Sequence, residues 1–288
     1  MTNTTKIFQI FYDEESKKKI DPKFLPLDNS NCNDDWFELS AIRNYLLSNK
    51  LDLDCFYGFL SPNFSKKTNF SSQFVINLVE SYKHQIDVAL FSIRWDQIAF
   101  FKNPFEQGEC YHPGLIQASQ SFLNSIYFDV DINNLITHSQ TAVFSNYIIA
   151  KPKFWLKWLD LINKFYEYSK INADVNQLTM HRDLKIPLKV FIQERLSCII
   201  LSSNTFKVAT PDQSLNGPLA TYFNNDSYTR RRLITCDLLK ERYCKTKNPD
   251  FLNMFYLLRN EIKLNDDFFF SKIAKNLINP SNNFKNFA

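Results

Sequence analysis

The chain opens with KIFQIFY (6–12), a compact run of aromatic and β-branched residues followed by the charged DEESKKK. A short apolar run closed by polar residues predicts a buried strand that ends in a loop. FLPLDNSNCNDD reads as turn chemistry. DDWFELSAIRNYLLSN then sets Trp36, Leu39, Ile42, Leu46 and Leu47 at helical spacing behind an aspartate cap. CFYGFLSPNF (55–64) predicts a second strand, SSQFVINLVESYK a serine-capped helix, and IDVALFSI (86–93) a third strand. HPGLIQASQSFLNSIY predicts a helix entered through Pro113, and AVFSNYIIA (142–150) another strand. KPKFWLKWLDLINKFYEYS is amphipathic, with Phe154, Trp158, Leu161, Ile162 and Phe165 on one side, and IPLKVFIQERLSCIILSS is a further apolar helix. Beyond residue 204 come a turn-rich connection, two helices around RRRLITCDLLKERYC and PDFLNMFYLLRNEIK, and an Asn-rich end expected to fray. Strands alternate with helices, so the predicted fold class is α/β, a mainly parallel sheet flanked by helices.

Composition narrows the class. Hydrophobic residues make up 44% of the 288 positions and aromatics 16%, enough apolar surface to offset chain entropy and build a core. No window approaches the roughly 18 uncharged apolar residues of a membrane span. The first residues lack the basic-then-apolar plan of a signal peptide, so the protein is expected in the cytoplasm, with room for association at the inner face of the cytoplasmic membrane. Six cysteines (32, 55, 110, 198, 236 and 244) are scattered without CxxC spacing, which reads as reduced, mostly buried thiols. The net charge of +4 lies in local runs such as SKKKIDPK and YTRRRL, with no nucleic-acid reader motif, so nucleic acid is not an expected partner. A mild positive balance suits anionic small molecules or an anionic membrane surface.

Several chemistries drop out. With four glycines in the chain there is no GxGxxG fingerprint and no GxxxxGK[ST] loop, and no GxSxG elbow occurs. The densest chemistry is KNPFEQGECYHPGL (102–115), which gathers Glu106, Glu109, Cys110 and His112. A zinc site there lacks partners, because His84, His138 and His181 are isolated from thiols, and Cys110 reads as a packing residue. Glu106, Glu109 and His112 read either as a base with hydrogen-bonding groups for sugar hydroxyls or as a helix-capping polar loop. Asp129 and Asp131 in SIYFDVDI read either as a divalent-cation pair or as a turn, with Asp52 and Asp54 a weaker pair. Asn146, an amide in an apolar run, needs a ligand or neighbouring backbone to bond. Glu194 and Arg195 read as a buried pair or as a phosphate-facing arginine with its neighbour, and Glu38 and Arg43 as a surface pair or as donor contacts.

The order of these blocks carries a resemblance. ELSAIRNYLLSNKLDLDCFYGFLSPNF resembles the helix-then-strand block of capsular-polysaccharide-type bacterial glycosyltransferases, whose strand is of the YxGLxHYRRxF kind. DVALF, HPGLIQASQSF, VFSNYIIAKPKFWLKWLDLI and VFIQERLSCIIL follow in the order of that family's third strand, His-bearing loop, Asn-containing strand with its helix, and C-terminal Glu-Arg helix. The resemblance spans residues 6–202. NPFEQGECYHPGL and SNYIIAKPKFW also resemble an uncharacterised bacterial family found among polysaccharide-assembly proteins.

The resemblance implies a GT-A-like nucleotide-sugar-binding domain over residues 1–203 and a helical extension over 204–288 packed on it. It implies transfer of a sugar from a nucleotide-sugar donor to a surface-polysaccharide or lipid-linked acceptor. Glu106, Glu109 and His112 are then the expected catalytic groups. Glu38, Arg43, Asn103, Asn146, Glu194 and Arg195 are expected to hold donor and acceptor, and Asp129 and Asp131 a Mn²⁺ or Mg²⁺ ion. Where the family has HYRR this chain has SPNF, which removes two cations that could meet phosphate. The rivals are a non-catalytic member of the same fold that acts as a binding or assembly partner, and a hydrolase using Glu106 and Glu109 across a sugar at roughly 5 to 10 Å.

Overall fold

A computed structural model describes residues 5–32, 34–181 and 183–265. The elements run β1 (Thr5–Phe11), α1 (Glu14–Lys18), β2 (Leu25–Asp28), α2 (Glu38–Ser48), β3 (Phe56–Leu60), α3 (Phe64–Thr68), α4 (Ser72–Tyr82) and β4 (Val88–Leu90). They continue with α5 (Trp95–Phe100), α6 (Pro104–Tyr111), α7 (Leu115–Ser125), β5 (Ile148–Ala150), α8 (Pro152–Ile171), β6 (Leu178–His181) and β7 (Leu184–Pro187). Last come α9 (Leu188–Leu201), β8 (Val208–Ala209), α10 (Ser227–Thr246) and α11 (Pro249–Glu261). The Asn-rich end lies outside the described residues.

Six strands form one sheet in the order β2-β1-β3-β5-β4-β8, and β6-β7 is a separate antiparallel hairpin. Pairings β1-β2, β1-β3 and β4-β8 are parallel, whereas β5 runs antiparallel to both of its neighbours. The sheet is therefore mostly parallel and flanked by helices. Because strand side chains alternate faces, Phe8, Ile10, Tyr57, Phe59, Ile148 and Ala150 meet α2, α7, α8 and α9 on one side. Ile7, Phe56, Leu60, Ala89 and Ile149 meet α3 and α4 on the other. Both faces are covered, which is why the central strands read as continuous apolar runs. Gly58 is required where β3 meets β5, since a Cβ there would stand 2.6 Å from Ile149 Cγ1.

Several boundaries differ from the sequence reading. FLPLDN holds β2, a short edge strand whose Pro26 pairs with Gln9 at the sheet margin, the one place a sheet tolerates proline. β3 stops at Leu60 and β4 at Leu90, because the chain turns into side-chain-bonded loops there. Of AVFSNYIIA only Ile148–Ala150 is strand. The helix at Glu38 is entered through Phe37, with no side-chain cap, and α7 through Gly114 at φ 92°. The segment 102–115, read as a loop, is helix α6 and the turn into α7. Asn103 caps α6 by accepting from the Glu106 amide at 2.8 Å, and Pro104 occupies its first turn.

Residues after 204 supply the edge strand β8 as well as α10 and α11. These helices share a core with α5, built from Trp95, Phe100, Phe101, Leu233, Leu239 and Phe255. All six cysteines are free thiols. Among the described residues no helix is long and apolar enough to cross a membrane.

Candidate active site

The chain leaves β1 for β2 on one side and returns to place β3 on the other. Connections that diverge in this way open a crevice at the carboxyl ends of the two strands, the usual ligand position in open α/β sheets. Tyr12 follows β1, Asn29 follows β2 and Ser61 follows β3. β5, running the other way, brings Tyr147 to the same margin from its amino end. Ser61 Oγ and Tyr147 Oη lie 2.8 Å apart. Gln9 fastens the floor: its Nε2 donates to the Ser61 and Pro62 carbonyls at 3.5 and 3.4 Å, and its Oε1 accepts from the Asp21 amide at 2.8 Å.

Two carboxylates stand beside these groups at the strand ends. Glu38, at the start of α2, stands near the Tyr12 phenol and adds to the rise of its pKa. Glu194 comes from α9, every other residue of which is buried, and keeps 29% of its side-chain surface exposed. Desolvation pushes the Glu194 carboxyl up to about 7; Arg195 opposes the rise and Glu38 adds to it, with Lys67 of α3 near enough to pull it down. A carboxyl that titrates near neutrality is able both to take and to give a proton. The phenols behave differently. Burial first, then Glu38, raises Tyr12, and burial raises Tyr147 against the bond from Ser61. Both stay protonated at neutral pH and present hydroxyl donors beside the titrating carboxyl.

The residues singled out in 102–115 go elsewhere. Glu106 is buried against Arg259 of α11, whose Nη1 sits 3.0 and 3.1 Å from its oxygens, and it also accepts from the Lys102 amide at 2.7 Å. Glu109 accepts from the Gly114 and Ile116 amides, both at 2.8 Å, and so caps α7. The two carboxylates thus serve different helices and do not face one another across a common space. His112 is stacked on Phe191 with ring centroids 3.6 Å apart, and its Nδ1 lies 3.2 Å from Thr179 Oγ1. Desolvation, then Arg195 and His181, lower it to about 3, so it is a neutral packing residue at neutral pH. Cys110 is buried and its thiol is pushed up by desolvation, as a packing residue's should be.

The remaining candidates divide. Arg195 is committed to the Pro104 carbonyl (2.8 Å), the Phe191 carbonyl (2.7 Å) and Gln107 Oε1 (2.9 Å), which braces α9 to α6. Gly108 makes room for it, as a Cβ there would come within 2.7 Å of Arg195 Nε. Asn146 donates to Gln193 Oε1 at 2.9 Å and accepts from Ser197 Oγ at 3.3 Å, so side chains of α9 satisfy it. Asn103 also donates to the Ile132 and Leu135 carbonyls at 2.9 and 2.7 Å. Arg43 bonds Asn163 at 2.7 Å and stacks on Tyr166, joining α2 to α8. Asp131 accepts from the Asn133 amide and Asn134 Nδ2, a turn, and both it and Asp129 are exposed. Among the described residues no group of three or more His, Cys, Asp or Glu side chains is placed to hold a metal ion.

Of the residues nominated from the sequence, the fold brings Glu38 and Glu194 together. Tyr12, Ser61, Lys67 and Tyr147 were missed. A signal for the first two was present: each is a hydroxyl-bearing residue inside a run read as a strand, and the strand itself stops one residue before it.

The chain matches no family model, no curated protein and no solved structure. The chain is an α/β protein with a mostly parallel six-stranded sheet flanked by helices, with Tyr12, Glu38, Ser61, Tyr147 and Glu194 gathered at the carboxyl ends of β1 and β3.

Proposed function

We propose that the protein is a glycosyltransferase of GT-A type that moves a sugar from a nucleotide-sugar donor to a surface-polysaccharide or lipid-linked acceptor, with Glu194 as general base. The observation that carries this reading is Glu194 itself, the one unburied residue of α9, held in the switch-point cleft with its carboxyl raised to about 7. In the reaction an acceptor oxygen bonds to the anomeric carbon, the bond from that carbon to the diphosphate oxygen breaks, and the acceptor proton passes to Glu194. The diphosphate departs with the bonding electron pair. The Tyr12 phenol, the mutually bonded Ser61 and Tyr147 hydroxyls and the charge of Lys67 stand near Glu194 for contact with sugar and phosphate oxygens. This role stands in place of the one expected of Glu106, Glu109 and His112, since both carboxylates and the His112 Nδ1 bond groups of the fold itself.

Thermal stability against a panel of nucleotides and nucleotide sugars, with and without Mn²⁺, tests the reading. One nucleotide class is expected to stabilise the protein, since a ligand at ~100 times its Kd adds about 2.7 kcal/mol to the folded state. Glu194→Gln is expected to keep that shift while turnover falls on the order of a hundredfold or more. Absence of any shift would overturn the proposal and favour the non-catalytic partner.

A further inference from the structure

Every residue of α9 except Glu194 is buried, so hydrophobic burial alone does not choose how the helix is rotated about its axis. The choice falls to its buried polar groups, each of which must find a partner. Asn146 Nδ2 donates to Gln193 Oε1 at 2.9 Å, and Asn146 Oδ1 accepts from Ser197 Oγ at 3.3 Å. One amide thus grips two residues four apart, on the same face of α9. Arg195 makes a second anchor through the Pro104 carbonyl and Gln107 of α6. Glu194 lies between the two.

Asn146 is itself held at a defined point. The amides of Tyr147 and Ile148 donate to the carbonyls of Ser145 and Asn146 at 2.7 and 3.0 Å, two successive tight turns that lead into β5. Asn146 immediately precedes Tyr147, as Gln193 immediately precedes Glu194. The bond between the two amides therefore joins the neighbours of Tyr147 and Glu194, and the Glu194 carboxylate acts on the Tyr147 phenol. A buried amide pair is satisfied in few geometries, so it specifies one packing as well as stabilising it.

We propose that Asn146 is the positioning residue for Glu194: by gripping Gln193 and Ser197 it sets the rotation of α9 that turns the Glu194 carboxyl toward Tyr147. The proposal rests on the reading of Glu194 as the base and adds what aims it.

The test is a pH titration of the intact protein carrying ¹³C-labelled glutamate, followed by NMR, with the Glu194 signal assigned by its loss in Glu194→Gln. The groups that act on this carboxyl are Arg195 on its own helix, Glu38 from α2 and Lys67 from α3, with Tyr147 beside it; none is altered in the variants, so a changed titration reports a changed position. Asn146→Leu is expected to bring the Glu194 midpoint down by about one pH unit, a tenfold change in proton affinity, as the carboxyl turns to solvent. The exchanged pair Asn146→Gln with Gln193→Asn keeps one long and one short amide and is expected to restore it. A purely stabilising role would lower the melting temperature and leave the midpoint where it was. Ser197→Ala removes only the longer bond and covers the case in which Asn146→Leu does not fold, with a smaller shift expected in the same direction. An unmoved midpoint in folded Asn146→Leu, or in Ser197→Ala where the leucine variant is unfolded, would overturn the proposal, and so would an exchanged pair that fails to restore it. A wild-type midpoint at the ordinary carboxylate value would overturn the base reading together with this proposal. If the midpoint follows the variants as expected while no nucleotide sugar is turned over, the positioning stands and the transferase reading falls.

Discussion

At the scale of single residues, the environment sets how each carboxyl and imidazole titrates. Glu194 is raised from 4.5 to about 7, so between those values the folded protein holds more protons than the unfolded chain. Its contribution to stability is then lost as pH rises through that window. Glu194→Gln is expected to melt higher than wild type at pH 8, with the difference gone near pH 4; equal melting at both would contradict a raised carboxyl. His112 has the opposite sign. It is lowered from 6.5 to about 3, so the unfolded chain binds the extra proton and stability falls as pH drops through that range. The slope reaches about 1.4 kcal/mol per pH unit at most. In urea titrations from pH 7 to pH 4, His112→Phe, which retains a ring against Phe191, is expected to lose a smaller fraction of its stability than wild type. A parallel loss would remove His112 from the account of acid sensitivity.

At the scale of elements, helix periodicity is plain in the sequence and pair geometry is not. KPKFWLKWLDLINKFYEYS could be read as a helix because its apolar side chains repeat one face, and IPLKVFIQERLSCIILSS because it is a long apolar run, which the fold buries on nearly every side. The segment 102–115 could not, because Gly108 and Pro104 look like breakers until Arg195 passes over one and the helix starts on the other. The polar groups there bond within the fold, and the partner of Glu106 lies 153 positions away on α11. A buried ion pair with one member removed leaves an uncompensated charge, at a cost of about 3 to 5 kcal/mol. Glu106→Gln is expected to lower the stability of the folded chain by that order in urea unfolding. Glu106→Gln combined with Arg259→Met should recover part of the loss, because neither charge is then buried alone. Unchanged stability together with lost turnover would return Glu106 to the chemistry.

At the scale of the whole molecule, the alternation of strands and helices was enough to foresee an α/β sheet covered on both faces. It could not foresee the antiparallel β5, since strand direction depends on where the chain re-enters the sheet. It also could not foresee that residues beyond 204 add β8 to the sheet margin. The cleft follows from that global order. Tyr12, Glu38, Ser61, Tyr147 and Glu194 are spread over most of the chain and meet only because β1 and β3 diverge in their connections. The claim that joins these scales is that ligand binds at this switch point and not at α6. Hydrogen–deuterium exchange with and without the stabilising nucleotide tests it most directly. The account predicts slowed exchange in residues 12–16, 36–40, 61–67 and 145–147, with 104–115 unchanged. Protection centred on 104–115, with the strand-end loops unaffected, would contradict it.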